Sequence, residues 1–181
     1  MPIITPPSER NWWDLPLGIH EKVWLSLVVL VSVGLFVMMP VWHFAGSQNS
    51  SAESYRVSPE GFFQRVTQWV GTAEKVQEGL RPPTGDVYLA AMRFAWFPNS
   101  IVLEAGVPYR IHLSSKDVNH GFSVHREGEP SQKANFQVVP GYEYVLTMTF
   151  QEAGVYNIVC QEYCGIGHQS MVAKITVEGA D

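Results

Sequence analysis

From Val23 to Trp42 the run VWLSLVVLVSVGLFVMMPVW contains no charged residue. About 20 apolar residues in helical form match the thickness of a bilayer's hydrocarbon core, so the run predicts one transmembrane helix. Trp24 and Trp42 mark its ends, with Trp12 and Trp13 just ahead, as an interfacial aromatic belt would. A cleaved signal peptide, the rival for such a segment, carries a shorter apolar stretch of about 7–15 residues closed by small side chains. His43-Phe44-Ala45 is a poor closure of that kind. Arg10 and Lys22 precede the helix and no Lys or Arg follows until Arg56, so the N-terminus is expected in the cytoplasm and everything after Ala45 outside.

Residues 46–58 (GSQNSSAESYRVS) are small and polar, as a juxtamembrane linker would be. Ser58 and Pro59 then read as an N-cap and first helical position, with Glu60 in the first turn. Phe62, Val66, Trp69, Val70, Ala73, Val76 and Leu80 recur at helical spacing, predicting an amphipathic helix to about Leu80 that Pro82-Pro83 ends. Its apolar face suits packing on its own domain and docking on a partner or membrane surface equally well.

From Gly85 the pattern changes to short alternating segments punctuated by Gly, Pro and Asn, which predicts an all-β sandwich or barrel. The expected strands are Asp86–Phe94, Ser100–Glu104, Pro108–Ser114, Phe122–His125, Asn135–Val138, Tyr142–Phe150, Gly154–Cys160 and Val172–Val177. The expected layout is an N-terminal segment 1–22, a transmembrane helix 23–42, a linker and amphipathic helix 43–84, and a β domain 85–178.

Composition agrees with a membrane component: the 181 residues are 46% hydrophobic and only 16% charged. A net charge of -5 leaves no basic footprint for phosphate binding, so nucleic acid is not an expected partner. The two cysteines, Cys160 and Cys164, are too few and too close for a secreted disulfide framework.

Those cysteines open the most informative stretch, CQEYCGIGHQSM at 160–171, which also holds His168 and Met171. Thiolate, imidazole and thioether together select copper over calcium, magnesium or manganese, which prefer oxygen. A mononuclear blue-copper site needs two His and one Cys with a long axial Met, so the second cysteine has to be explained. Two thiolates can bridge two copper ions if each ion also finds one imidazole and one weak axial ligand. The second imidazole is available at His120 in KDVNHGFSV, in a loop just past a predicted strand. Met171 would be axial to one ion and the backbone carbonyl of Glu162 to the other.

The loop CQEYCGIGHQSM and the upstream DVNHGF resemble subunit II of haem-copper cytochrome c oxidases. That family's pattern is Cys, Glu or Gln two later, Cys at four, His at eight and Met at eleven, with an upstream Asp-Val-x-His, and residues 117–120 and 160–171 satisfy every position. The resemblance implies a cupredoxin-like Greek-key domain carrying a binuclear CuA centre on His120, Cys160, Glu162, Cys164, His168 and Met171. It implies an electron-entry subunit of a membrane oxidase that accepts electrons from cytochrome c and passes them to haem in subunit I, where oxygen is reduced to water. Subunit I, cytochrome c, the bilayer and a small additional membrane subunit are the implied partners, with haem in subunit I only. The implied location is the cell inner membrane, with the copper domain on the periplasmic side. A single anchor helix is similar to the shorter subunit II of the B-family oxidases, since commoner members have two. The family's usual aromatic run for electron entry is absent, and MRFAWFPN (92–99) stands in its place. In many relatives the side chain at the position of Glu162 also reaches a magnesium ion, a role left open for this chain.

The competing readings are specific. Cys160 and Cys164 as a disulfide would leave His168, Met171 and DVNHGF without a purpose. His112 alternates with Ile111 and Leu113 and is expected on the opposite strand face, and His125 lies beside Arg126 and Glu127, so neither is a candidate ligand. Trp96 and Phe97 are expected as core or surface aromatics before electron-relay groups. The electron-entry subunit of a copper-containing nitric oxide reductase would use the same ligands. A membrane-tethered copper carrier, in contrast, needs an open, exchangeable site.

Overall fold

The computed structural model describes residues 16–45, 53–129 and 131–179. The expectations placed on Arg10, Trp12, Trp13 and the first part of the linker, 46–52, lie outside the described residues. The chain divides into two compact units, Met1–Gln48 and Asn49–Asp181.

In the first unit, helix α1 runs Ile19–Ala45, longer at both ends than the charge-free run alone. No residue along it is buried within its unit, and it is long and apolar enough to cross a membrane. An all-round apolar helix gains nothing from facing water, and lipid is the solvent that suits it. Pro40 lies in its last turns, where little of the backbone ladder remains to be interrupted.

The second unit opens with β1 (Glu53–Arg56) and α2 (Pro59–Thr72). Ser58 caps α2 as expected, its Oγ accepting from Gly61 N at 3.1 Å. The helix stops eight residues before the expected Leu80, and the chain instead forms the hairpin β2 (Glu74–Val76) and β3 (Gly79–Arg81). Gly79, at φ 149°, packs against the backbone of Ser100 and leaves no room for a Cβ. The remaining strands are β4 (Asp86–Met92), β5 (Ala95–Phe97), β6 (Ser100–Glu104), β7 (Pro108–Ser115), β8 (His120–Arg126), β9 (Gln132–Val138), β10 (Tyr142–Thr149), β11 (Gly154–Cys160) and β12 (Val172–Glu178). The β domain therefore includes strands on both sides of α2, ahead of the expected start at residue 85. His120 is the first residue of a strand, whereas the sequence placed it in a loop.

Among the described residues, one sheet has the order β1-β10-β7-β4-β5 and the other β2-β3-β6-β12-β11-β8-β9. They face each other across a common core to which the first contributes Leu89, Ile111 and Leu113 and the second Phe122, Ile158 and Ile175. Each such side chain, once buried, contributes about 1.5–3 kcal/mol. Helix α2 covers the other face of the first sheet, with Phe62 and Val66 against Ala90. Of the two uses foreseen for its apolar face, the structure displays packing on its own domain. Strand β4 is buried on both faces as a result, which explains why residues 87–92 read as a continuous apolar run.

Register places the chemistry. Strand β11 pairs with β12 through Val159 and Val172, so residues 161–171 form the loop at the end of that hairpin. On its other side β11 pairs with β8, Cys160 opposite Phe122, and this brings the start of β8 and His120 beside the same loop.

Candidate metal centre

The cysteines are free, and their sulfurs stand 4.0 Å apart. A disulfide would hold them at about 2.05 Å. Cys160 Sγ lies 3.7 Å from His120 Nδ1 and 3.2 Å from the Glu162 carbonyl oxygen. Cys164 Sγ lies 3.7 Å from His168 Nδ1 and 3.9 Å from Met171 Sδ. Each sulfur thus has its own imidazole and its own weak donor, and the two halves meet at the sulfur pair. The ligand atoms of His120, Cys160 and Cys164 all lie within 4.8 Å of one another, while His168 joins through Cys164. Gaps of this size fit an ion touching both neighbours, since metal–thiolate bonds run at about 2.3 Å.

The donor atoms are enclosed by the fold. His120 and Met171 are fully buried and both cysteines nearly so. Burial pushes the Cys164 thiol up to about 11, and the adjacent Cys160 adds to the rise. A soft cation supplies the charge that two thiolates in such a place require, so the donor set fits copper.

Asp117 orients one of the candidate donors. Its Oδ1 lies 2.8 Å from His120 Nε2, and its Oδ2 accepts from Arg93 N at 2.7 Å. Burial alone would raise the Asp117 carboxyl, but hydrogen bonds from the His120 ring and from the Arg93 and Val118 amides outweigh it and hold the carboxyl below its usual range. An ionised carboxylate only accepts, so Nε2 carries the hydrogen and Nδ1 turns its lone pair toward Cys160. The sequence pattern contained Asp117, yet its role became visible only through this contact.

Glu162 divides its functions. Its carbonyl faces Cys160, while its carboxylate lies 3.3 Å from Gln137 Nε2 on β9. Gly121 explains how the loop comes so close, because a Cβ there would sit 2.8 Å from Glu162 N. Around the buried donors the loop exposes two large apolar side chains, Tyr163 at 76% and Ile166 at 89%, among the polar Gln161, Gln169 and Ser170.

The other candidates fall where the sequence put them. Trp96 is buried, its ring edge-on to Phe122 at 5.9 Å and 6.4 Å from His120. Phe97 packs on Phe63. His112 points away from Ile111 and Leu113, between Glu143 at 2.7 Å and Asp86 at 3.2 Å, and stacks on Tyr88. His125 Nε2 lies 2.9 Å from Ser123 Oγ. Neither histidine reaches the sulfurs. Phe94, which the sequence did not single out, lies against the loop between Cys164 and His168.

Comparison with known proteins agrees with this geometry. The family model for the periplasmic domain of cytochrome C oxidase subunit II matches residues 74–179. Cytochrome c oxidase subunit 2 of Thermus thermophilus is 33% identical over 170 residues, covering 88% of this chain and 92% of the relative. A second Thermus thermophilus protein of that name is 36% identical over 130 residues, 67% of this chain and 92% of its own. A chain of a solved heme-copper terminal oxidase dimer superposes with a TM-score of 0.56 at 26% identity, covering 88% of this chain and 99% of that one.

Proposed function

The chain belongs to the cytochrome c oxidase subunit II family and is thereby part of a haem-copper oxidase complex, and on that footing we propose that it is the electron-entry subunit, taking electrons from a cytochrome c through a two-copper centre to haem in subunit I for the reduction of oxygen to water. The observation that carries this reading is the pairing of donors: Cys160 with His120 and the Glu162 carbonyl, Cys164 with His168 and Met171. One cysteine too many for a mononuclear blue-copper site is the number two bridged ions use. Bound there, copper supplies one-electron redox chemistry with the charge shared between two ions.

The protein's own part is to hold and shield. Cys160 and Cys164 would hold the metal through their sulfurs, and His120 and His168 through Nδ1. Asp117 keeps the hydrogen of His120 on Nε2 and so keeps Nδ1 free to ligate. The buried sulfurs and Met171 exclude water, which limits reorganisation around the ions when charge changes. His168 is only partly buried, and the exposed Tyr163 and Ile166 on the same loop suit a protein donor that must dock briefly. Helix α1 would anchor the subunit in the inner membrane beside subunit I, N-terminus inward, with the copper domain on the periplasmic side.

Electron paramagnetic resonance of the copper-loaded full-length chain in detergent tests the reading. One unpaired electron coupled equally to two copper nuclei is expected, and Cys164→Ser abolishes that coupling. A mononuclear signal from the wild-type chain, or a shared signal surviving Cys164→Ser, would rule the assignment out.

A further inference from the structure

The turn between β4 and β5 touches the surroundings of both histidines. Arg93 N donates to Asp117 Oδ2 at 2.7 Å, and the other oxygen of the same carboxylate holds His120 Nε2 at 2.8 Å. The next residue, Phe94, lies along the backbone that leads from Cys164 to His168. A Cβ built on Gly167 would fall 2.5 Å from Phe94 Cγ and 2.6 Å from Cδ2, while one on Gly165 would fall 2.9 Å from Cε1 and 3.0 Å from Cζ. The near end of the ring therefore rests on Gly167 and the far end on Gly165, with Ile166 between them turned outward and 89% exposed. Phe94 itself is 36% exposed, so one side of the ring covers the loop while part of it meets solvent.

That stretch of loop also makes hydrogen bonds within itself. Its internal hydrogen bonds are short-range, His168 N to Gly165 O at 3.0 Å, Ser170 N to Gly167 O at 3.0 Å and Met171 N to His168 O at 3.1 Å. Gly165, at φ 134°, contributes backbone that few other residues tolerate. Two glycines three positions or fewer from a ligand would ordinarily allow it to wander.

We infer that the β4–β5 turn is a brace for the metal loop, in which Phe94 is a positioning residue that fixes His168 Nδ1 beside Cys164 Sγ by covering Gly165 and Gly167. The same turn steadies His120 through Asp117, so one short segment sets both imidazoles. This inference rests on the copper reading for one of its readouts and is independent of it for the other.

The test uses the full-length chain in detergent with Phe94→Ala, Gly167→Ala, the double variant, and Phe97→Ala as a control whose ring packs on Phe63. In the metal-free protein, hydrogen exchange at the amides of His168, Ser170 and Met171 is expected to rise about tenfold in Phe94→Ala, with exchange in β11 and β12 unchanged, as selective opening of one local unit requires. In the copper-loaded protein, release of copper to a chelator is expected to quicken about ten- to a hundredfold, the usual cost of losing a group that orients a ligand. Gly167 has an ordinary negative φ of -90°, and the nearest atoms a methyl group there would meet are Phe94 Cγ at 2.5 Å, Cδ2 at 2.6 Å and Cβ at 3.1 Å, of which Phe94→Ala removes the two closest. Gly167→Ala is therefore expected to be harmful alone and much less harmful once Phe94 is Ala, where only the 3.1 Å contact with Cβ remains. Equal harm in both backgrounds, or wild-type exchange in Phe94→Ala, overturns the brace. If the exchange result holds but the wild-type chain shows no two-copper signal, the brace stands and the copper reading falls.

Discussion

Gly121→Ala is expected to be among the most damaging one-methyl changes in the β domain. A Cβ at this position lies 2.8 Å from Glu162 N and 2.9 Å from both Gln161 N and Gln161 C, and these backbone atoms must retreat to the 3.4 Å at which ordinary contact begins. No side-chain rotation can relieve the clash. Overpacking of this kind costs about 1–3 kcal/mol. The hydrogen bond from Gln161 N to Gly121 O, 3.0 Å long, crosses the same contact, and its weakening adds about 0.5–1.5 kcal/mol. A total of about 2–4 kcal/mol corresponds to a fall in Tm of roughly 8–16 °C for a domain of this size. The displaced segment carries the Glu162 carbonyl, 3.2 Å from Cys160 Sγ, so copper retention should fall in parallel. Thermal unfolding followed by circular dichroism, with and without copper, measures both effects. A Tm within about 2 °C of wild type would mean the loop is free to move away, and the claim that Gly121 sets its approach would be wrong.

Three further outcomes follow from other parts of the molecule. Gly71→Ala should stabilise by about 0.4–1 kcal/mol, because a methyl group there meets open space in α2 and the alanine has less freedom to lose on folding; a loss of stability in denaturant titration refutes this. Asp117→Asn should lower copper affinity about ten- to a hundredfold in competition titrations, since an amide no longer acts only as an acceptor for His120 Nε2, and unchanged affinity would remove Asp117 from the site. Burial, reinforced by Glu143 and Asp86, raises the Tyr88 phenol above its ordinary 10.0, so the unfolded chain ionises first. Stability from this group is therefore complete below pH 10 and falls as pH rises beyond it. Tyr88→Phe should flatten that alkaline decline, and an identical slope in the two proteins would show that Tyr88 does not cause it.

The apolar helix, the sandwich and the donor set could all be read from the chain because each rests on a local pattern. Gly154–Cys160 and Ser100–Glu104 are strands with the bounds that alternation and flanking turn residues predict. The errors arose where two structures satisfy one pattern. Val76 and Leu80 continue the helical spacing of α2, but a three-residue hairpin uses the same positions, and what decides for the hairpin is Gly79 packing on Ser100, a contact made across the fold. Strand β1 was invisible because all of Glu53–Arg56 is exposed, so pairing with β10 leaves no alternation in hydrophobicity. Strand β5 is too short to show a period at all. The Glu143 and Asp86 carboxylates beside His112 are 31 and 26 residues away from it, and only the sheet brings them together.

The metal loop shows the same division within twelve letters. Cys160, Cys164, His168 and Met171 could be identified because their chemistry is carried by the side chain itself. The glycines could not, because what they contribute is the space they leave for something distant. Gly121 lets the backbone of Gln161 and Glu162 descend onto β8 from one side, and Gly165 and Gly167 let the Phe94 ring lie on the backbone from the other. In the proposed centre the sulfurs lie 4.0 Å apart, each has an imidazole at 3.7 Å, and the loop is held from both directions. Donors scattered on an untethered loop would hold soft metals more weakly and with no preference for two ions over one. In the proposed centre the donor side chains therefore determine which metal is attracted, and the small residues among them determine whether the donors are held as a pair of matched halves.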